Sequence, residues 1–141
     1  MAALTVAAAS LTATGGSAAQ AATTPGNTAL NWAEAHATGR PFVWGGTGPY
    51  GFDCSGLVWA SFRAEGINLP RTTNGMAASP HLIRTYHPQR GDLAMFGADS
   101  HIEFLTAWPD TTFGAHDTGS TVGWTGYGGT WTPVAFYRVV R

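Results

Sequence analysis

Residues 39–58 read GRPFVWGGTGPYGFDCSGLV. The run Gly45-Gly46-Thr47-Gly48-Pro49-Tyr50-Gly51 can only be loop, because glycine and proline at this density favour turns and break both helix and strand. It delivers the chain to Asp53-Cys54-Ser55-Gly56, after which Leu57, Val58, Phe62 and Ala64 follow a helical pattern as far as Gly66. Cys54 is therefore expected at a helix N-terminus, where unpaired backbone N–H groups and the positive end of the helix dipole favour the thiolate. The sequence contains one cysteine, so no disulfide forms within the chain and the core alone holds the fold. A single unpaired thiol in an exported protein points to a use for it. The competing reading is a small buried apolar side chain.

Upstream, Asn27 precedes an Ala-rich segment, Thr28 to Thr38, closed by Gly39 with Pro41 beyond, which is expected to be a helix. Downstream, Pro70 to Pro88 reads as irregular, with one helical turn near Thr73 to Ala78. From Gly91 the pattern becomes β, with strands expected at Asp92–Phe96, His101–Ala107, Thr112–His116 and Pro133–Val140. Helices first and strands later imply an α+β class, a mainly antiparallel sheet backing the Cys-bearing helix.

A chain of 141 residues, 44% apolar and 11% charged, has one core and is not of disordered composition. No internal repeat is visible, and a single domain is expected over residues 23–141. Residues 2–22 are nearly all small or apolar and end in Ala19-Gln20-Ala21, a small-x-small cleavage pattern. Residues 1–22 are read as an export signal or, failing that, a disordered Ala-rich leader; alanine is too weakly apolar for a membrane span. A net charge of −1, with seven scattered Arg and no Lys, excludes a strong footprint for nucleic acid or anionic membrane.

A helix-start thiol needs a base, and position sorts the five histidines. His36 lies among alanines on the first helix, and His81 and His87 lie in the Pro-rich loop. His101 opens a strand in which His101, Glu103 and Leu105 alternate with Ile102, Phe104 and Thr106, so its imidazole is expected at the sheet end, facing the helix. A hairpin through Trp108–Thr111 brings His116 beside it, able to orient the first imidazole through a hydrogen bond. A metal held by the two histidines lacks a clear third protein ligand; no metal and no cofactor are expected. Trp44 and Trp59 are assigned to the core around the Cys helix. Trp124, Tyr127 and Trp131 are read first as packing, with a groove wall as the alternative.

The run GRPFVWGGTGPYGFDCSGLV, then INLPRTT, QRGDLAMFG, SHIEFLTAW and FGAHDTG, resembles the NlpC family of papain-like cell-wall endopeptidases over roughly residues 29–116. The resemblance implies a circularly rearranged papain-like fold with Cys54 as nucleophile, His101 as base and His116 as the third, orienting residue. It also implies a secreted enzyme, expected to be a monomer, that cleaves the bond between γ-D-glutamate and a diamino acid in the peptidoglycan stem peptide. By the same analogy Asp53 and Ser55 recognise a free stem-peptide amine, against the alternative that they cap the helix. Two departures stand out. Phe42, counted by the resemblance among the substrate-binding residues, occupies a position where the family commonly has Tyr, so a donor near the nucleophile is lost and substrate choice or rate is expected to change. Glu103 replaces a common Gly, and is read as raising the His101 pKa or touching substrate, against a solvated strand-end charge. Rival readings are a thiol amidase or acyltransferase of the same fold, and a catalytically weak wall-binding module.

Overall fold

The computed structural model describes residues 24–141. The expected leader, 1–22, lies outside the described residues. Helix α1 spans Pro25–Ala37, α2 Cys54–Arg63 and α3 Thr73–Ala77; the strands are β1 (Leu82–Thr85), β2 (Leu93–Phe96), β3 (His101–Leu105), β4 (Thr111–Gly114), β5 (Gly123–Gly126) and β6 (Ala135–Val139). They form one six-stranded sheet in the order β1-β6-β2-β3-β4-β5, with every neighbouring pair antiparallel.

Helix α1 starts three residues before the expected Thr28. Thr24 is its N-cap, accepting from the Asn27 N–H, and Pro25 takes the first turn, where a missing N–H costs nothing. Its buried face is Gly26, Ala29, Leu30, Ala33 and Ala37, and the alanines let it lie close against α2. Helix α2 begins at Cys54 as expected. Asp53 caps it, its Oδ1 accepting from Gly56 N at 2.7 Å.

Phe62 of α2 stacks on Phe104 of β3, ring centroids 5.8 Å apart, and Ile102, Phe104 and Phe113 join Leu57, Val58 and Phe62 in the core. The odd-numbered residues His101, Glu103 and Leu105 therefore lie on the sheet face turned away from α2. His101 nevertheless meets Cys54 at the start of the helix, because it is the first residue of β3 and stands at the sheet's end, where the sequence places it.

Two strands escaped the sequence reading. β1 lies in the segment read as irregular and β5 in the Gly-rich stretch, and both are sheet edges, with burial on one residue or none. Their extended form comes from pairing with β6 and β4 rather than from a periodic apolar pattern. Trp44 also departs from expectation: it is 87% exposed, because the loop of residues 45–51 carries it out past the core. Trp59 is half-buried against the core, with the Arg63 guanidinium over its ring.

Candidate active site

Asp53 ties the loop of residues 45–51 to the start of α2. Its Oδ1 caps the helix, and its Oδ2 accepts from Gly45 N at 2.8 Å and from the Arg71 guanidinium at 2.9 Å. Arg71 also donates to Ser55 Oγ at 2.8 Å. Asp53 and Ser55 are both buried and already partnered, and both line the cleft beside Cys54. The bonds in place cap the helix and close the loop. Arg71 lies in the segment INLPRTT, and its role follows from a contact across 18 residues that no local pattern announces.

Gly56 is required for a different reason. A Cβ there would lie 1.9 Å from the Gly46 carbonyl oxygen, which accepts from Asp53 N at 3.0 Å. The first turn of α2 is thus pressed against the loop backbone, and Cys54 is fixed at the junction.

The Cys54 thiol is half-buried and hydrogen-bonded to His101. Burial pushes it up, but the hydrogen bond and charge of His101, with the backbone N–H groups of Ile102 and Ser55, outweigh burial and hold it below its ordinary value. Burial pulls the His101 imidazole down, while the hydrogen bonds and charges of Cys54 and Glu103 push it to about 9. At neutral pH these shifts favour a thiolate–imidazolium pair.

Glu103 is fully buried and stands behind His101. Its Oε1 accepts from His101 Nε2 at 2.7 Å and from His116 Nδ1 at 2.9 Å, and its Oε2 accepts from the Thr112 hydroxyl. Burial raises the carboxyl, yet His101, Thr112 and His116 together hold it below the ordinary range. With Nε2 donating to Glu103, His101 turns Nδ1 to the sulfur.

Of the two roles expected of Glu103, the structure shows the first: its hydrogen bond and charge raise the His101 pKa. Being fully buried, it has no exposed surface with which to touch substrate and is not a solvated charge. The expectation for His116 is corrected. His116 lies just beyond β4 and, although edge-on to His101 at 5.6 Å between centroids, turns its Nδ1 to Glu103 instead. The facing ligand atoms of His101, Glu103 and His116 lie within 4.8 Å of one another, so a third group beside the two histidines does exist. The short contacts between them are hydrogen bonds, each closed by a proton.

Trp131 covers the pair from outside. It stacks on Phe96 at 4.5 Å between centroids and lies 5.3 Å from both His101 and His116. Of the two readings of this tryptophan, the contacts show packing. On the other side of Cys54 opens a cleft of about 510 Å³, lined by Trp44, Gly45, Asp53, Ser55, Arg71, Asn74, Asp99 and others. Phe42 packs against the core and brings no donor. A second cavity of about 580 Å³, between Trp32, Arg40, Phe52, Trp59 and Arg63, does not include the thiol.

The family model described as the NlpC/P60 family matches residues 39–131. The chain belongs to the NlpC/P60 family. Among curated relatives it is 36% identical over 61 residues to the "Gamma-D-glutamyl-L-lysine dipeptidyl-peptidase" of Bacillus cereus, a match covering 43% of this chain and 18% of that protein. It is 47% identical over 60 residues to the "Bifunctional muramidase/DL-endopeptidase CwlT" of Bacillus subtilis, covering 42% of this chain and 18% of that protein. The matched segment is thus under a fifth of these relatives' length. The fold is similar to that of the peptidoglycan hydrolase RipB of Mycobacterium tuberculosis, with TM-score 0.69 and 21% identity over 83% of this chain and 65% of that one. This likeness supports the papain-like α+β expectation.

Proposed function

We propose that this NlpC/P60 chain is a cysteine peptidase that hydrolyses peptidoglycan stem peptides outside the cell, at the bond between γ-D-glutamate and the diamino acid. One observation carries the reading: a helix-start thiol hydrogen-bonded to an imidazole that is itself anchored by a buried carboxylate. The printed names of the relatives, a γ-D-glutamyl-L-lysine dipeptidyl-peptidase and a DL-endopeptidase, support the choice of bond. Among the described residues no helix is long and apolar enough to cross a membrane.

In this mechanism the Cys54 thiolate attacks the amide carbonyl and forms a tetrahedral intermediate, whose oxyanion is held by the Cys54 backbone N–H at the helix N-terminus. His101 gives its Nδ1 proton to the leaving amine, the C–N bond breaks and a thioester remains. His101 then takes a proton from water; the hydroxide attacks the thioester, releasing the acid and restoring the thiolate and imidazolium. The cleft lined by Trp44, Arg71 and Asn74 takes the stem peptide. His116 supports the set through Glu103.

The test is digestion of purified peptidoglycan and a stem tetrapeptide, with products identified by mass, beside Cys54→Ala. The expected result is a new amine on the diamino acid, lost in the variant. Release of the lactyl sugar instead would make the chain an amidase. No product from the wild-type chain would leave a wall-binding module.

A further inference from the structure

We propose that Glu103, and not His116, is the residue that orients His101, and that β4 makes room for its carboxylate by carrying glycine at position 114. The proposal rests on the reading of Cys54 and His101 as nucleophile and base. It begins with the register of the β3–β4 ladder, Phe104 opposite Phe113 and Leu105 opposite Thr112. Continued toward the sheet end, that register sets Glu103 opposite Gly114 and His101 opposite His116.

Two histidines facing each other across a ladder are placed to hydrogen-bond, and these do not. Their rings stand at 79° with centroids 5.6 Å apart, and both turn a nitrogen to Glu103 Oε1, at 2.7 and 2.9 Å. The carboxylate is thus the shared partner, and His116 reaches His101 only through it. Thr112 closes the other oxygen, so three donors from three positions satisfy a fully buried anion that would otherwise be costly.

Gly114 explains how the carboxylate fits. Its φ is not in the left-handed region, so backbone conformation does not demand glycine. Space does: a Cβ at 114 would lie 2.7 Å from Glu103 Cγ and 3.1 Å from its Cβ and Cδ. Any side chain there would push Glu103 off both imidazoles. Glu103 and Gly114 therefore work as a complementary cross-strand pair, one supplying the side chain and the other vacating its volume.

The charged and titratable groups on His101 are Cys54 from α2, Glu103 from its own strand and, through Glu103, His116 from beyond β4; Trp131 adds an uncharged ring. This predicts different consequences for the two candidate orienting residues. Glu103→Gln keeps the shape and removes the charge, so the NMR titration of the His101 imidazole is expected to fall by about 1–3 pH units. The pH midpoint for alkylation of Cys54 is expected to rise with it. His116→Ala leaves the Glu103–His101 bond in place, and both midpoints are expected to stay near the wild-type values. A His101 titration unmoved in Glu103→Gln, or lowered as far in His116→Ala, would overturn the proposal. Should Glu103→Gln fail to fold, Gly114→Ala carries the test, since its methyl displaces the carboxylate while every titratable residue stays in the chain: a lowered His101 titration supports the assignment and an unmoved one overturns it. Neither readout needs substrate. A wild-type chain that leaves peptidoglycan intact while showing these shifts would defeat the proposed function alone.

Discussion

Cys54 is held as a thiolate against its own burial. Burial opposes the anion, and the His101 hydrogen bond and charge together with two backbone N–H groups overcome it. In wild-type protein the rate of iodoacetamide alkylation, followed by mass against pH, is expected to reach half-maximum below the ordinary thiol value of about 8.5. His101→Ala removes the imidazolium and leaves burial, so the midpoint is expected to move above that value. The base titrates from the other side: His101 holds its proton up to about 9, so the thiolate–imidazolium pair exists between the lowered thiol pKa and about 9. Cleavage that needs the imidazolium is expected to decline as pH rises through that upper limit. A wild-type alkylation midpoint like that of free cysteine would contradict the ion pair.

Helix α2 and the loop before it act as one element. The loop's Gly46 carbonyl sits where a side chain at 56 would go, and Asp53 binds the helix start, Gly45 and Arg71 together. Gly56→Ala is expected to destabilise the fold by about 1–3 kcal/mol through overpacking, a fall of roughly 4–8 °C in Tm per kcal/mol for a domain near 100 residues. It is also expected to slow Cys54 alkylation, because the first turn must shift away from His101. Differential scanning calorimetry and the alkylation rate check the two effects separately. This element was readable beforehand. Glycine density announced the loop, Asp53 the cap and the apolar pattern the helix, because each is a local property of consecutive residues.

Across the molecule, α2 packs on one face of the sheet while His101, Glu103 and Phe96 occupy the other. The base meets the nucleophile around the sheet's end. That leaves the imidazoles open on the outer face, and the chain returning from β5 to β6 closes it with Trp131. Trp131→Ala is expected to cost about 0.5–1.5 kcal/mol for the lost stacking, in addition to the buried area. Solvent exchange at His101, read by NMR, is expected to quicken, with the Cys54 midpoint moving toward the free-thiol value. An unchanged exchange rate would show that the ring shields nothing.

The Cys-bearing helix, the strand opened by His101 and the α+β order of elements could be read from residues close together in the chain, since caps, breakers and periodicity act within a few positions. The edge strands β1 and β5 could not, because their extended form comes from partners more than 50 and about a dozen residues away. Arg71 reaches Asp53 across 18 residues, and Trp44, read as core, hangs outside it on a loop. Glu103 is the sharpest case. Period 2 put it on the face of His101, but whether that face was wet or buried, and whether His116 would bond to His101 or to Glu103, depended on the register with β4 and on the space left by Gly114. A carboxylate's role follows from its burial and its donors, and here both are supplied by strands and loops that only the folded chain brings together.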